Sequence, residues 1–434
     1  MSSQEESVLI DIAQLRVGLY ISLDLGWMDH PFITNAFKIS DEGQIQTLKR
    51  LGLKQIRYYP AKSSATPLER TKPAAPANQE AESPQESTAQ PTAEEQAALE
   101  AKRLRVERLR QHRQSVLKCE KMLMESVNTI KYINQTLFSQ PKECVASAAA
   151  LINKMADSLL TEKDVAIYAM NDKVAGEDVY HHSLNVSVLA MLLAKEMTMH
   201  REEILLVGMG SLFHDIGKTK IPENLLRKTQ PLTKPEQNFL AQHPIYGEEI
   251  GRGLGLAPGV IDIIRHHHET MDGSGYPDRL AGEAISRPTR LVAVVNTFDN
   301  LCNPVNPLNA LTPYEAISSM FAKQRHLFDA EILKSFIHTM GVYPPGTVVR
   351  LSNEMWAIVT SVNTNKPLKP TVVVYDASIP KEEALLIDLE HEPALSISKT
   401  LRPAQLPPEI FDYLSPRRRI TYYFDEASPS PNPM

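Results

Sequence analysis

What this chain lacks narrows the field first. It has three cysteines in 434 residues, Cys119, Cys144 and Cys302, with no C-x-x-C spacing. That excludes a disulfide framework and a thiolate zinc site. No apolar run approaches the ~18 residues of a membrane span, and the N-terminus carries no signal-peptide pattern, so a cytoplasmic protein is expected. Basic residues are not in excess: the net charge is -6, and nothing in the overall balance points to nucleic acid. Aromatics are missing between Tyr59 and Tyr132. Over residues 61–96 that absence coincides with a Pro-, Ala-, Ser-, Glu- and Gln-rich composition. Such a segment cannot bury enough apolar surface to offset its ordering entropy. It is expected to be a disordered linker and the clearest domain boundary.

What is present assigns a mainly α chain around that linker. Residues 1–60 read as a small α+β module, a candidate sensor, with strands at Val8–Ile10 and Ile56–Tyr59 and a helix at Glu42–Leu51 that Asp41 caps. Residues 97–138 read as a long helix, from Leu, Val and Ile recurring at three- and four-residue steps, a pattern that also admits a dimeric coiled coil. Residues 139–340 read as mostly helical, with helices at 144–160, 178–197, 202–216, 234–246, 258–267, 287–301, 313–323 and 330–340. Val-, Ile- and Thr-rich runs then mark a small β-rich extension over 341–425, ahead of a disordered tail at 426–434.

The histidines are not spread evenly. Eight of the 13 lie between His181 and His268. His182 shares the core-facing stripe of an amphipathic helix with Val179, Val186, Leu189 and Leu193, and Asp178 lies one turn ahead on the same face. His214, Asp215 and Lys218 end an apolar helix. His243 ends another, His267 and His268 follow a third, and Asn296 and Asp299 sit on a fourth apolar run. Any one of these suits a satisfied core position. Five helices each bringing a polar ligand to an apolar face or end are better explained by one shared metal centre. His182, His214, Asp215, His243, His267 and His268 are too many for one four-coordinate ion, so two ions sharing Asp215 as a bridge are expected. Ions ~3.5–4 Å apart suit phosphoester hydrolysis, and nitrogen-and-carboxylate ligation favours Fe or Mn over structural zinc.

These residues resemble a known family. His182, His214-Asp215-x-Gly217-Lys218, Ile221-Pro222, His243-Pro244-x-x-Gly247, His267-His268-Glu269 and Asp272-Gly273-Ser274-Gly275-Tyr276-Pro277 occur in the order and at the intervals of the HD-GYP phosphodiesterases, across residues 140–340. The first module, with Leu15-Arg16-Val17-Gly18, is similar to the domain of unknown function that often precedes them. The resemblance implies an all-helical HD-type domain and a cytoplasmic, metal-dependent enzyme. It would hydrolyse cyclic di-GMP to pGpG, and onward to GMP, through a bridging hydroxide on two metals. A third metal is an open option. Asp215 and Lys218 take the catalytic roles, and Gly273, Ser274, Gly275, Tyr276 and Arg290 are candidate substrate contacts. The long helix admits a homodimer, and the Gly275-Tyr276-Pro277 loop admits signalling partner proteins.

The chain also departs from the family. Its late metal-binding Asp falls at Asn296, which ligates through a carbonyl oxygen but brings no charge. Its Arg-Pro-Tyr phosphate-holding pattern is replaced by Cys302-Asn303-Pro304-Val305-Asn306-Pro307, leaving Arg287, Arg290 or Lys323 for that task. The glutamate some members use for a third metal is met by Asp178. An alternative reading is therefore a protein that binds nucleotide or partner proteins and signals without turnover.

Overall fold

Helix-forming sequence dominates from Ala93 onward, and strands are confined to the two ends of the chain and one internal segment. The computed structural model describes residues 7–25, 29–32, 34–69, 93–161, 165–170, 178–362, 366–377, 379–381, 384–416 and 421–426. It divides into two compact units, Met1–Arg108 with Asp376–Ala384, and Leu109–Tyr375 with Leu385–Met434.

In the first unit, strands β1 (Val8–Asp11), β2 (Tyr20–Ser22), β3 (Ala36–Lys38) and β4 (Gln55–Tyr58) form an antiparallel sheet in the order β1-β4-β2-β3. Helix α1 (Glu42–Arg50) starts at Asp41, whose carboxylate accepts from the Gln44 N–H at 2.9 Å. Leu19, Ile21, Ile39, Ile45, Leu48 and Ile56 make its core. The expected linker begins later than composition suggested. Ser64 N–H donates to Gly18 O and Leu68 N–H to Gln14 O, so residues 63–68 are tied to the module by backbone pairing. Residues 70–92 and 427–434 lie outside the described residues.

Helix α2 (Ala93–Thr136) runs 44 residues. In the second unit it buries Cys119, Leu123, Val127, Ile130 and Ile133, followed by Leu137 in the turn after it, in one core with α3 (Pro141–Thr161), α4 (Asp178–Glu196) and α5 (Arg201–Phe213). Short α6 (Glu223–Leu226) and α7 (Lys234–Leu240) lead to α8 (His243–Gly253), α9 (Pro258–His266), α10 (Arg287–Cys302), α11 (Pro313–Lys323) and α12 (Ala330–Met340). Helix α4 is not amphipathic as expected: every residue from Ser183 to Ala194 is buried. A helix apolar on all sides belongs at the centre of a domain, and that places His182 inside.

Two expected helices are shorter. The one over 202–216 stops at Phe213, and a 3-10 turn (Ile216–Lys220) follows. The one over 234–246 breaks at Ala241–Gln242, so His243 opens a helix rather than closing one. Pro244 explains this, since proline lacks the N–H an interior position needs but fits a first turn.

The C-terminal extension is a five-stranded antiparallel sheet of β6 (Val348–Leu351), β7 (Trp356–Ser361), β8 (Thr371–Val374), β9 (Leu385–Asp388) and β10 (Ile397–Leu401), in the order β10-β6-β7-β8-β9. Helix α13 (Pro408–Leu414) packs Ile410 and Leu414 against Val348 and Ile358. One pairing joins distant segments: β5 (Val165–Met170), between the expected helices at 144–160 and 178–197, pairs antiparallel with β11 (Thr421–Glu426). No helix among the described residues is long and apolar enough to cross a membrane.

Candidate metal centre

Helix ends build this site. The last carbonyls of a helix have no partner within it, and three histidines use them. His214 Nδ1 donates to Ser211 O at 2.7 Å, His243 Nδ1 to Leu240 O at 2.8 Å and His267 Nδ1 to Ile264 O at 2.8 Å. These carbonyls belong to the C-terminal turns of α5, α7 and α9. Spending Nδ1–H this way fixes the tautomer and leaves the Nε2 lone pair pointing inward. His182 reaches the same state differently, with Nδ1 2.5 Å from Asp299 Oδ2.

The four Nε2 atoms converge in two pairs. His182 and His214 are 3.1 Å apart, and His243 and His267 are 3.3 Å apart. The Asp215 carboxylate lies between the pairs. Its Oδ2 is 3.4 Å from both His182 and His214 Nε2, and its Oδ1 is 3.3 Å from His243 and 3.7 Å from His267. Two ligand groups result, His182–His214–Asp215 and Asp215–His243–His267–His268, with the ligand atoms of each within 4.8 Å of one another.

Protein groups alone do not satisfy this arrangement. Asp215 Oδ1 is buried with no hydrogen-bond partner. His243 and His267 turn lone pairs toward each other at hydrogen-bond distance with both Nδ1–H groups already engaged. A buried carboxylate oxygen left this way costs several kcal/mol or more. A divalent cation in each group removes both defects, so the residues fit two metals.

The electrostatics agree. Burial pushes His214 down to about 4 and holds His267 and His268 well below the ordinary imidazole range. All three are therefore neutral imidazoles, the form that can ligate a metal. Burial also opposes ionisation of Asp215, but His214, Lys218, His182 and His243 outweigh it and keep the carboxyl well below its usual range. At His182, burial lowers the imidazole while hydrogen bonds and charge from Asp215 and Asp299 raise it, and the balance is about 9. Lys218 Nζ is 2.5 Å from Asp215 Oδ2.

Two glycines permit the convergence. A Cβ on Gly217 would lie 1.9 Å from His243 O and 2.5 Å from Gly247 N, so the 3-10 turn touches α8 backbone to backbone. A Cβ on Gly275 would meet Glu269 Cα and His268 O, each at 2.5 Å. Gly275 thus serves close packing of its own loop on the ligand-bearing turn. Ser274 is likewise spent locally, its N–H and Oγ both donating to Asp272 Oδ1, and Gly273 takes a left-handed φ of 76° in that turn. The Tyr276 ring stacks on His268, with centroids 4.6 Å apart and planes at 19°.

Other expected site residues sit elsewhere. Arg290 is not available to substrate, because its guanidinium pairs with Glu283 at 3.0 Å and Asp329 at 2.8 Å. Asn296 is buried, and its Oδ1 accepts from Asn300 Nδ2 at 2.8 Å. The side chain of Asp178 lies outside the described residues. A cavity of about 690 Å3 opens beside His182, Asp215 and Lys218, with Asn134 of α2, Arg227 and Asn300 also on its wall. Arg287, Arg290, Lys323 and the 273–276 loop do not line it.

Sequence reasoning gave no role to Glu269 and did not single out Asn185 or Arg227. Glu269 is buried and accepts from the N–H groups of Asp278, Arg279 and Leu280 at 2.7–3.0 Å, locking the loop after Pro277. The signal was a carboxylate directly after two ligand histidines. Asn185 follows His182 by three residues, on the same helix face.

Comparison with known proteins places this geometry. Residues 140–332 match the HD domain and residues 7–148 match a domain of unknown function, DUF3391. A cyclic di-GMP phosphodiesterase of Pseudomonas aeruginosa is 27% identical over 379 residues, covering 84% of each chain. A cyclic di-GMP phosphodiesterase response regulator of Xanthomonas campestris pv. campestris is 36% identical over 155 residues, covering 35% of this chain and 41% of that one. A solved HDG"Y"P protein from Bdellovibrio bacteriovorus is similar over 76% of this chain and 98% of its own, at 17% identity and a TM-score of 0.41. The two candidate ligand groups of this chain thus lie within the matched region, and the chain carries an HD domain with a DUF3391 domain ahead of it.

Proposed function

We propose that this protein hydrolyses cyclic di-GMP to pGpG, and pGpG onward to GMP, in the cytoplasm, at a site where His182, His214, Asp215, His243, His267 and His268 would hold two divalent ions, Fe or Mn. One observation carries the reading: Asp215 turns one oxygen to each ligand group, Oδ2 to His182 and His214 and Oδ1 to His243 and His267. His268 completes the second group. When bound, two such ions polarise a phosphoryl group and lower the pKa of a water beside it.

The chain's own residues do the rest. Asp299 holds His182 in the ligating tautomer. Lys218 lines the cavity, and its ammonium is placed to neutralise charge gathering on the phosphoryl oxygens. Arg227 is the cavity's arginine among the described residues and takes the place of the family's missing phosphate-holding arginine. Ile133, Leu137 and Ile221 give the cavity an apolar wall that limits water and suits a purine face. Asn296 brings no charge, and its oxygen accepts from Asn300. A protein that binds nucleotide without turnover is the second reading, and this uncharged Asn296 is what favours it.

Anaerobic purification with elemental analysis, followed by cyclic di-GMP turnover on the same sample, tests the proposal. Two metals per chain and turnover that Asp215→Ala abolishes are expected. Fewer than one metal and no turnover, with Fe and Mn supplied, would assign the chain to binding alone.

A further inference from the structure

The C-terminal strand lies far outside the matched HD domain, yet it is joined to a metal ligand by an unbroken line of hydrogen bonds. The backbone N–H of Tyr422, on β11, donates to Asn185 Oδ1 at 2.7 Å. Asn185 Nδ2 donates in turn to Asp299 Oδ1, which also accepts from Asn303 Nδ2 at 2.8 Å. The other oxygen of that carboxylate, Oδ2, holds His182 Nδ1 at 2.5 Å. All of this is dry: Asn185 and Asp299 are 1% exposed and Tyr422 is fully buried.

The orientation of one amide decides whether the line works. Asn185 carries an acceptor at one end and donors at the other. With its oxygen on the Tyr422 N–H, its NH2 faces the carboxylate. Turned over, it would set its oxygen against Asp299 and its NH2 against another donor. The strand's N–H therefore selects the amide orientation, the amide steadies the carboxylate, and the carboxylate fixes the ring of His182. Partners behind a ligand histidine typically change metal affinity about 10- to 100-fold when lost. The strand is seated independently of this line, through its six-residue pairing with β5 and through Tyr422 packing on Phe298.

We infer that Asn185 is a positioning residue through which the C-terminal strand β11 holds His182 in its metal-ligating orientation. The metal centre is thus completed by the C-terminal extension as well as by the HD domain. This rests on the metal-site reading above but not on the identity of the substrate.

The test uses full-length protein stripped with chelator and titrated anaerobically with Co2+, followed by its visible absorption, with a melt of each metal-free variant to verify folding. Wild type should bind two Co2+. Asn185→Leu removes both halves of the amide. Asn185→Asp keeps the acceptor for Tyr422 but cannot donate to Asp299. Each should weaken one of the two sites at least about tenfold and leave the other, Asp215–His243–His267–His268, within about twofold. Tyr422→Phe keeps the backbone N–H and should bind as wild type does. Because coupling between sites is reciprocal, Co2+ should slow hydrogen exchange at the Tyr422 amide in wild type by about tenfold and have no such effect in Asn185→Leu. Two unchanged sites in folded Asn185→Leu, or a Tyr422 amide indifferent to Co2+ in wild type, would overturn the inference alone. A wild-type chain that takes up no metal would overturn it together with the proposed function.

Discussion

At the scale of single residues, His182 differs from His214, His267 and His268 in holding its proton across neutral pH. Its two carboxylate neighbours raise it to about 9, whereas His267 and His268 are held well below the ordinary range by burial. A metal must displace that proton to reach Nε2. At the His182–His214–Asp215 group, then, apparent affinity should climb about tenfold per pH unit below roughly 9 and level off above it. The sign follows from competition: a raised pKa keeps the proton on His182 across neutral pH, and each step up in pH removes some of it. In the other group, His267 and His268 are already neutral and impose no such slope. A chelator-competition titration of Co2+ from pH 6.5 to 9.5 checks this, and His182→Gln should flatten the profile. Equal slopes at both sites would contradict it. Residue type and periodicity made His182, His214, Asp215, His243, His267 and His268 legible as a set, because each stands out against apolar neighbours. What turns their Nε2 atoms toward one another was not legible. The helix-end carbonyls that fix three tautomers, and the carboxylate that fixes the fourth, depend on which turn ends where.

At the scale of elements, the loop from Glu269 to Leu280 is held by one carboxylate. Glu269→Ala would release the N–H groups of Asp278, Arg279 and Leu280 together. Hydrogen exchange at those three amides should quicken by about tenfold, equivalent to ~1.4 kcal/mol. The Tyr276 ring should lose its fixed stack on His268, read as a rise in its quenching by iodide. Unchanged exchange at all three positions would show that the Arg265 and His266 contacts to Asp278 suffice to hold the loop. Most helices were readable from the 3.6-residue period. The break before His243 was missed, because its one signal is a proline at the second position of the new helix and the hydrophobic pattern does not change there. The β5–β11 pairing was not readable: its strands are separated by about 250 residues of chain, and strand pairing between distant segments leaves no local mark.

At the scale of the whole molecule, the folding unit is larger than the family match. Residues 140–332 match the HD domain, yet Cys119, Leu123, Val127, Ile130 and Ile133 of α2, and Leu137 just after it, are all at most 4% exposed within the same core as α3, α4 and α5. A chain begun at residue 140 strips those six side chains from the core. At ~1.5–3 kcal/mol for each buried apolar side chain, the loss is on the order of 10 kcal/mol, comparable to the whole ~5–15 kcal/mol of a typical domain. It also opens the cavity, whose wall includes Ile130, Ile133, Asn134 and Leu137. A fragment of residues 140–434 should therefore fail to give a cooperative unfolding transition. One of residues 109–434, which restores the buried half of α2, should unfold cooperatively and bind two Co2+ per chain. Urea denaturation followed by circular dichroism, with Co2+ titration of each fragment, compares them. A cooperative, metal-binding 140–434 fragment would mean that α2 only covers the core. Its absence from the shorter fragment's behaviour ties the long helix, the cavity and the metal centre into one folded unit, so that any displacement of α2 reaches the substrate wall directly.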